Sequence, residues 1–257
     1  MAVTAPIDRR WLVGALLTLT AVTGLIDAVS YLRLGHVFVA NMTGNVVFFG
    51  LTLDPHSGVS PVTPAVAIAG FLAGAVVGGL VARRLDGRPR VWLCAALGVQ
   101  AGILAVAAVL VAVTVLPAGG RPGLFLVAPL GVCFGLQNAT VRRLGVADLT
   151  TTVLTLTLTG LAADSVLGGS SPHRRIGSVV CMLAGAAIGA LLLRVGVAVV
   201  VGLAAVLVAG VAVVFGRAPS PRPVTKRPRK LVIFTADVRV GCPTGAWSRR
   251  DGSDYVR

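Results

Sequence analysis

The sequence contains no glutamate and only two lysines among its 257 residues. Charged residues of all kinds make up 12%, about half the ~25% usual in a soluble domain. A chain this poor in charge lacks the polar surface to face water all round, which excludes an ordinary soluble globular fold. Cysteine is scarce as well. Cys94, Cys133, Cys181 and Cys242 stand singly with no C-x-x-C pair, so neither a disulfide framework nor a zinc site is implied. Three of them lie in apolar runs, where a free thiol behaves as a small hydrophobe. The chain has no G-x-x-x-x-G-K-[ST] loop and no H-E-x-x-H pair, so the phosphate-cradling and zinc-protease signatures are missing. His36, His56 and His173 fall at the ends of apolar runs or in loops. A membrane-embedded enzyme would need a nucleophile–base pair or a metal set at depth. The apolar runs offer one Asp and no His, so no enzyme, metal or cofactor is expected.

What the chain has in abundance is apolar sequence: 56% hydrophobic residues and a mean hydropathy of +0.90. A spanning helix needs about 20 apolar residues. Residues 11–32, 64–83, 91–116 and 123–141 each qualify, and 176–216 is long enough for two helices turning at Arg194-Val195-Gly196. That predicts an all-α, polytopic transmembrane bundle with six strong spans. Two shorter, polar segments accompany them. Residues 37–53 carry Asn41, Thr43, Gly44 and Asn45, and residues 149–168 carry Thr150, Thr151, Thr152, Thr155, Thr157, Thr159 and Asp164. Both read as re-entrant or broken helices. The Leu-Thr alternation from Leu154 to Thr159 has the period of a strand, but a lone strand cannot sit in lipid, so a helix is expected there.

The net charge of +14 suggests nucleic acid until the charges are placed. Arginines flank the apolar runs and fill the end of the chain, as orientation in a membrane requires. The opening Asp8-Arg9-Arg10 followed by Trp11 to Ile26 has the plan of an uncleaved signal-anchor. Residues 1–10 therefore form a short cytoplasmic lead, and 217–257, rich in proline and basic residues, a flexible cytoplasmic tail suited to anionic lipid.

The chain also resembles itself at a shift of 111. Leu72-Ala73-Gly74-Ala75 recurs as Leu183-Ala184-Gly185-Ala186, and seven of the twelve positions from 72 to 83 are identical at that shift. Gly24, Leu25 and Ala28 recur as Gly135, Leu136 and Ala139, with Asp27 answered by Asn138. This predicts a 3+3 internal repeat, 11–116 and 117–216. If the polar segments do not cross, the inner loops carry Arg83, Arg84, Arg88, Arg90, Arg142, Arg143, Arg174 and Arg175, against Arg33, Arg121 and Arg194 outside. Eight against three favours six spans and oppositely oriented halves, a plan common among secondary transporters.

Asp27 is the sharpest candidate for chemistry. A carboxyl inside a span is costly and must find a partner, meet water or stay protonated. It reads either as a proton or cation site or as a capping or interhelical hydrogen bond. Asn41 and Asn45, four apart, would share a helix face. With Thr43 they form a polar patch that could line a substrate or ion path, or glue helices together. Gln137 and Asn138 are the second half's counterpart, below Pro129. Gly74/Gly78 and Gly185/Gly189 are G-x-x-x-G pairs that let helix backbones approach closely, read as packing seams within one chain.

The run Thr23-Gly24-Leu25-Ile26-Asp27-Ala28-Val29-Ser30-Tyr31, then Val37-Phe38-Val39-Ala40-Asn41-Met42-Thr43-Gly44-Asn45, resembles the YoaK family of bacterial integral membrane proteins, a domain of unknown function. Gly135-Leu136-Gln137-Asn138-Ala139 is similar to that family's second half. The resemblance covers roughly residues 10–216 and departs at Leu156, where glycine follows threonine in the family. It implies a membrane fold and a bacterial inner-membrane location, and it supplies no substrate. Two functional classes remain: a small secondary transporter of an unknown small molecule or ion, or a non-transporting assembly, lipid-binding or sensory module.

Overall fold

Hydrocarbon offers no partner to a backbone N–H or C=O, so an apolar run inside it closes its hydrogen bonds within itself as a helix. The computed structural model follows that rule. It describes residues 9–85, 87–113, 123–144, 159 and 172–218. Among these are seven helices and no strand: α1 (Arg9–Arg33), α2 (Met42–Leu51), α3 (Val62–Arg84), α4 (Pro89–Ala112), α5 (Leu124–Leu144), α6 (Pro172–Leu192) and α7 (Val197–Arg217). Six of them, all but α2, are long and apolar enough to cross a membrane. The fold is a helical membrane bundle, with ends within a few residues of those expected. The expected span 176–216 divides at the predicted place, where Gly196 takes the positive φ of 155° between α6 and α7. The Thr-rich segment 149–168 with Asp164 (Thr159 apart), residues 1–8 and the tail beyond Ala218 lie outside the described residues.

Direction follows from which residues meet. Leu17 lies beside Gly177 and Leu25 beside Gly189, so α1 and α6 run parallel. Ala67 meets Gly131 and Leu136 meets Gly78, so α3 and α5 run parallel. The Arg90 guanidinium donates to the Ala218 carbonyl, Cys94 Sγ lies 3.5 Å from the Ala212 carbonyl, and Ala108 faces Gly202, so α4 and α7 are antiparallel. These three pairs are the main helix contacts. Short turns at 85–88 and 193–196 reverse α3 into α4 and α6 into α7.

These directions place Arg10, Arg83, Arg84, Arg88, Arg90, Arg142, Arg143, Arg175 and Arg217 at one face of the bundle, and Arg33 and Arg194 at the other. The asymmetry is what orients a membrane protein.

Segment α2 does not carry the chain across. A Cβ built on Gly35, just after α1, would lie 3.3 Å from the Thr63 methyl, at the start of α3. The chain thus leaves α1 and enters α3 at the same face. Ten residues of helix rise only ~15 Å, half the ~30 Å of a hydrocarbon core. Single cysteines placed in a cysteine-free background at Arg33 and Pro55, which flank α2 and are both exposed, should therefore label with an impermeant thiol reagent from the same side of the membrane. Labelling from opposite sides would mean that α2 crosses.

Helices from before and after residue 117 interleave. Most of α1 and α5 is buried, while α3, α4, α6 and α7 expose most of their length. Their outward faces carry Leu72, Val76, Val106, Leu183 and Val206, which suits lipid and would be a liability in water. The interior is built on Leu16, Leu19, Ile26, Leu93, Leu97, Leu104, Leu130, Phe134 and Phe215, each under 2% exposed.

Glycine seams hold the parallel pairs together. A Cβ on Gly74 would collide with the Val132 carbonyl of α5, and one on Gly185 with the Ala21 carbonyl of α1. Gly135 meets Phe71, and Gly24 meets Met182. Gly78 abuts Leu136 and Ala139, and Gly189 abuts Leu25 and Ala28. Each of these pairs has its counterpart at a shift of 111: 74 and 132 become 185 and 21, 135 and 71 become 24 and 182.

Candidate functional site

The polar interior is threaded on α1. Thr20, Thr23, Asp27 and Ser30 are all buried, and their spacing of three, four and three residues puts them on one helix face. Thr20 Oγ1 donates to the Leu16 carbonyl at 2.9 Å, Thr23 Oγ1 to Leu19 at 2.9 Å, and Ser30 Oγ to Asp27 at 3.1 Å. A hydroxyl has one proton and two lone pairs. Each therefore places its proton on its own helix and keeps an acceptor turned to the interior.

Asp27 sits where this stripe meets a break in the helix. After Arg33 the chain turns sharply through Gly35 and His36, at φ 97° and 58°, and comes back over α1. Asp27 Oδ1 accepts from both Val39 N and Ala40 N at 3.1 Å. Its second oxygen, Oδ2, is buried and meets no donor among the described residues. Asp27 as a whole is 5% exposed. A carboxylate with one oxygen held by two peptide N–H groups and the other unmet is poised for a proton or a cation.

The asparagines that the sequence places together on one helix face part company. Asn41 is exposed and caps α2, its Oδ1 accepting from Gly44 N at 3.5 Å. Asn45 is fully buried. Its Oδ1 accepts from Phe38 N at 2.9 Å and its Nδ2 donates to the Phe38 carbonyl. The reason is local: α2 begins at Met42, so Asn41 stands at the cap position, where a short polar side chain is preferred. Thr43 is exposed. These residues shape the returning loop, and Asn45 pins it by both the N–H and the C=O of Phe38. Tyr31, Phe38 and Phe48 stack over it, with centroids 5.3 to 6.2 Å apart, and His36 packs edge-on against Tyr31. Beside this cluster, at the face away from most arginines, opens a cleft of about 720 Å³ lined by Tyr31, Leu34, His36, Phe48, Ser60 and Thr63. Tyr31 is one helical turn beyond Asp27.

A second polar group lies about midway along the spans. Gln100 Nε2 of α4 donates to Gln137 Oε1 of α5 at 2.7 Å, and Gln137 Nε2 donates to Thr23 Oγ1 of α1 at 3.1 Å. Gln100 Oε1 is buried without a partner among the described residues. Three helices are thus joined by one amide relay that is short of a donor at its end. Asn138, matched to Asp27 by the shift of 111, sends its Nδ2 to the Phe134 carbonyl of its own helix at 3.0 Å, and its neighbour Gln137 reaches across to α1 and α4. The shift places Phe134, Ile26 and Val211 opposite Thr23, Gln137 and Gln100, and all three are buried apolar residues. The relay therefore exists on one side of the related pair only.

Gln100 escapes the sequence reading. It sits alone in a 24-residue helix of otherwise apolar and small residues after its basic start. That isolation was the available signal, because an amide in hydrocarbon needs a partner.

A family model described as "Protein of unknown function (DUF1275)" matches residues 15–214. The chain is similar to the UPF0700 transmembrane protein YoaK of Bacillus subtilis (strain 168), at 35% identity over 153 residues. That match covers 58% of this chain and 64% of the length of the relative. No solved structure matches.

Proposed function

We propose, from the premise that the chain belongs to the DUF1275 family, that this multi-pass membrane protein is a small secondary transporter built from two oppositely oriented halves. The observation that carries the reading is the buried Asp27 carboxyl at a helix break, with Oδ1 held by two loop N–H groups and Oδ2 unmet. A carboxylate in that position gains from a proton or cation bound at Oδ2, while the loop stays fastened to Oδ1.

Supporting the halves is the recurrence of the glycine contacts at a shift of 111 together with helix direction. α1 and its counterpart α5 run oppositely, as do α3 with α6 and α4 with α7. Inverted halves around a site made by discontinuous helices are how many secondary transporters alternate access. The loop between α1 and α2 is irregular backbone at depth, tolerated where protein buries it or a cavity adjoins it. The basic face is cytoplasmic in this reading, so Asp27 and its cleft open to the outside of a bacterial inner membrane, and the termini lie inside. The substrate is a small molecule or ion.

Charge displacement in reconstituted liposomes on a solid support tests this without knowing the substrate. A pH jump and a Na⁺ jump, applied separately, should evoke a transient current from wild-type protein in at least one case. Asp27→Asn should reduce it by about tenfold or more, since the group that changes charge is gone. Equal currents from both proteins would remove Asp27 from any coupling role and with it the case for this reading.

A further inference from the structure

A second cavity lies far from Asp27, on the outside of the bundle where α1 passes α7. It is a groove of about 870 Å³ whose lining includes Arg10, Trp11, Gly14 and Thr18 of α1 and Gly210 and Val214 of α7. Its walls are apolar and its floor is opened by two glycines. Among the described residues, neither Gly14 nor Gly210 has an atom of another helix or a side chain within 4 Å of where a Cβ would stand.

The charge in the groove is at one end only. Arg10 closes it at the basic face, and Arg217 follows Val214 by three residues, on the same side of α7. Trp11, 53% exposed, stands beside Arg10 at the level where indoles mark the headgroup zone. From Arg10 to Thr18 is eight residues, ~12 Å of helix rise. One leaflet of hydrocarbon is ~15 Å, half of a ~30 Å core. The groove therefore starts at the headgroups and ends near the midplane. A helix from a second copy would need a seam along the whole span, whereas one leaflet's acyl chain needs only this depth. Two arginines at the mouth complement a phosphate.

We propose that this groove is a binding site for an anionic phospholipid of the leaflet at the basic face, with its headgroup on Arg10 and Arg217 and one acyl chain between α1 and α7. The site is independent of the transport reading and of the basic tail. It makes the crossing of α1 over α7 sensitive to the charge of the surrounding lipid.

Native mass spectrometry of the full chain, released from detergent with matched-chain phosphatidylglycerol or phosphatidylcholine added, tests the site. Wild-type protein should hold one phosphatidylglycerol in preference to phosphatidylcholine by about tenfold or more, given two basic contacts near the surface. Arg10→Gln with Arg217→Gln should abolish the preference, and Arg10→Lys with Arg217→Lys should restore most of it. Gly14→Leu and Gly210→Leu, which enter open space and leave the fold intact, should each lower retention of both lipids by filling the groove. Three results would overturn the site: a preference unchanged by the Gln pair, a preference lost only when the basic residues of 222–230 are neutralised, or a dimer that Gly210→Leu dissociates. The second would put the lipid on the tail, and the third would seat a second copy in the groove.

Discussion

Replacing Gly135 or Gly185 by alanine should destabilise the bundle severely, while alanine at Gly79 or Gly98 should do no harm. The contrast lies in what a Cβ would meet. At Gly135 it would run into the Phe71 carbonyl and the Ala75 amide, and at Gly185 into the Ala21 carbonyl. These are backbone atoms of a neighbouring helix, and no rotamer change can move them aside. The helices must separate, and with them the dispersion contacts that hold spans together in lipid, where no hydrophobic force acts between them. Overpacking of this kind costs about 1–3 kcal/mol, with backbone collisions at the upper end or beyond. At Gly79 and Gly98 no neighbouring atom among the described residues lies within 4 Å, and alanine gains about 0.5–1 kcal/mol of helix propensity.

Thermal unfolding in mild detergent, followed by size-exclusion profile, measures the difference. The shift of 111 adds a symmetry test: Gly74→Ala should resemble Gly185→Ala, and Gly24→Ala should resemble Gly135→Ala. Gly185→Ala proving no worse than Gly79→Ala would mean that the α1–α6 seam is not the close backbone contact described.

Asp27 should separate into two roles when replaced by asparagine and by leucine. Asparagine keeps an Oδ1 to accept from Val39 N and Ala40 N, so its fold should hold to within about 1 kcal/mol. Leucine leaves two buried N–H groups without acceptors, at about 1–3 kcal/mol each. The stretch at Val39 and Ala40 should then loosen, because Asn45 and the aromatic stack fasten the loop at Phe38 and not at these two N–H groups. Hydrogen exchange at residues 37–41 reads this directly. Wild-type and Asp27→Asn should protect Val39 and Ala40, and Asp27→Leu should expose them. Fast exchange in the wild-type would contradict the closed loop, and protection in Asp27→Leu would show that Asp27 does not hold it. The asparagine variant isolates charge from structure, which is why it serves in the current measurement.

Some of this was legible in the linear chain. Apolar length foretold six spans, the turn at Arg194-Val195-Gly196 and the brevity of 37–53, because cost of transfer to lipid depends on a segment's own composition. The arginines foretold the basic face, since each lies at the end of a span and its side follows from counting crossings. A lone carboxyl in a span marked Asp27 by its expense.

What the sequence did not decide was partnership. The spans are apolar nearly all round, so no period in any of them names the face that meets another helix. Similarity within the chain suggests two bundles of three, yet α1 closes on α6 and α3 on α5, across the halves. The choice was made by shape: a glycine on one helix accepts a carbonyl from the other, and only the assembled bundle brings Gly185 to Ala21. Tertiary structure likewise joined Gln100, Gln137 and Thr23, which are far apart in sequence, and parted Asn41 from Asn45, which are close. Composition therefore determined where each segment lives, in lipid or in water, because that is a property of the segment alone. Contact between segments depends on the fit of two surfaces and on the hydrogen-bond needs of groups removed from water, and these are met only when the helices pack.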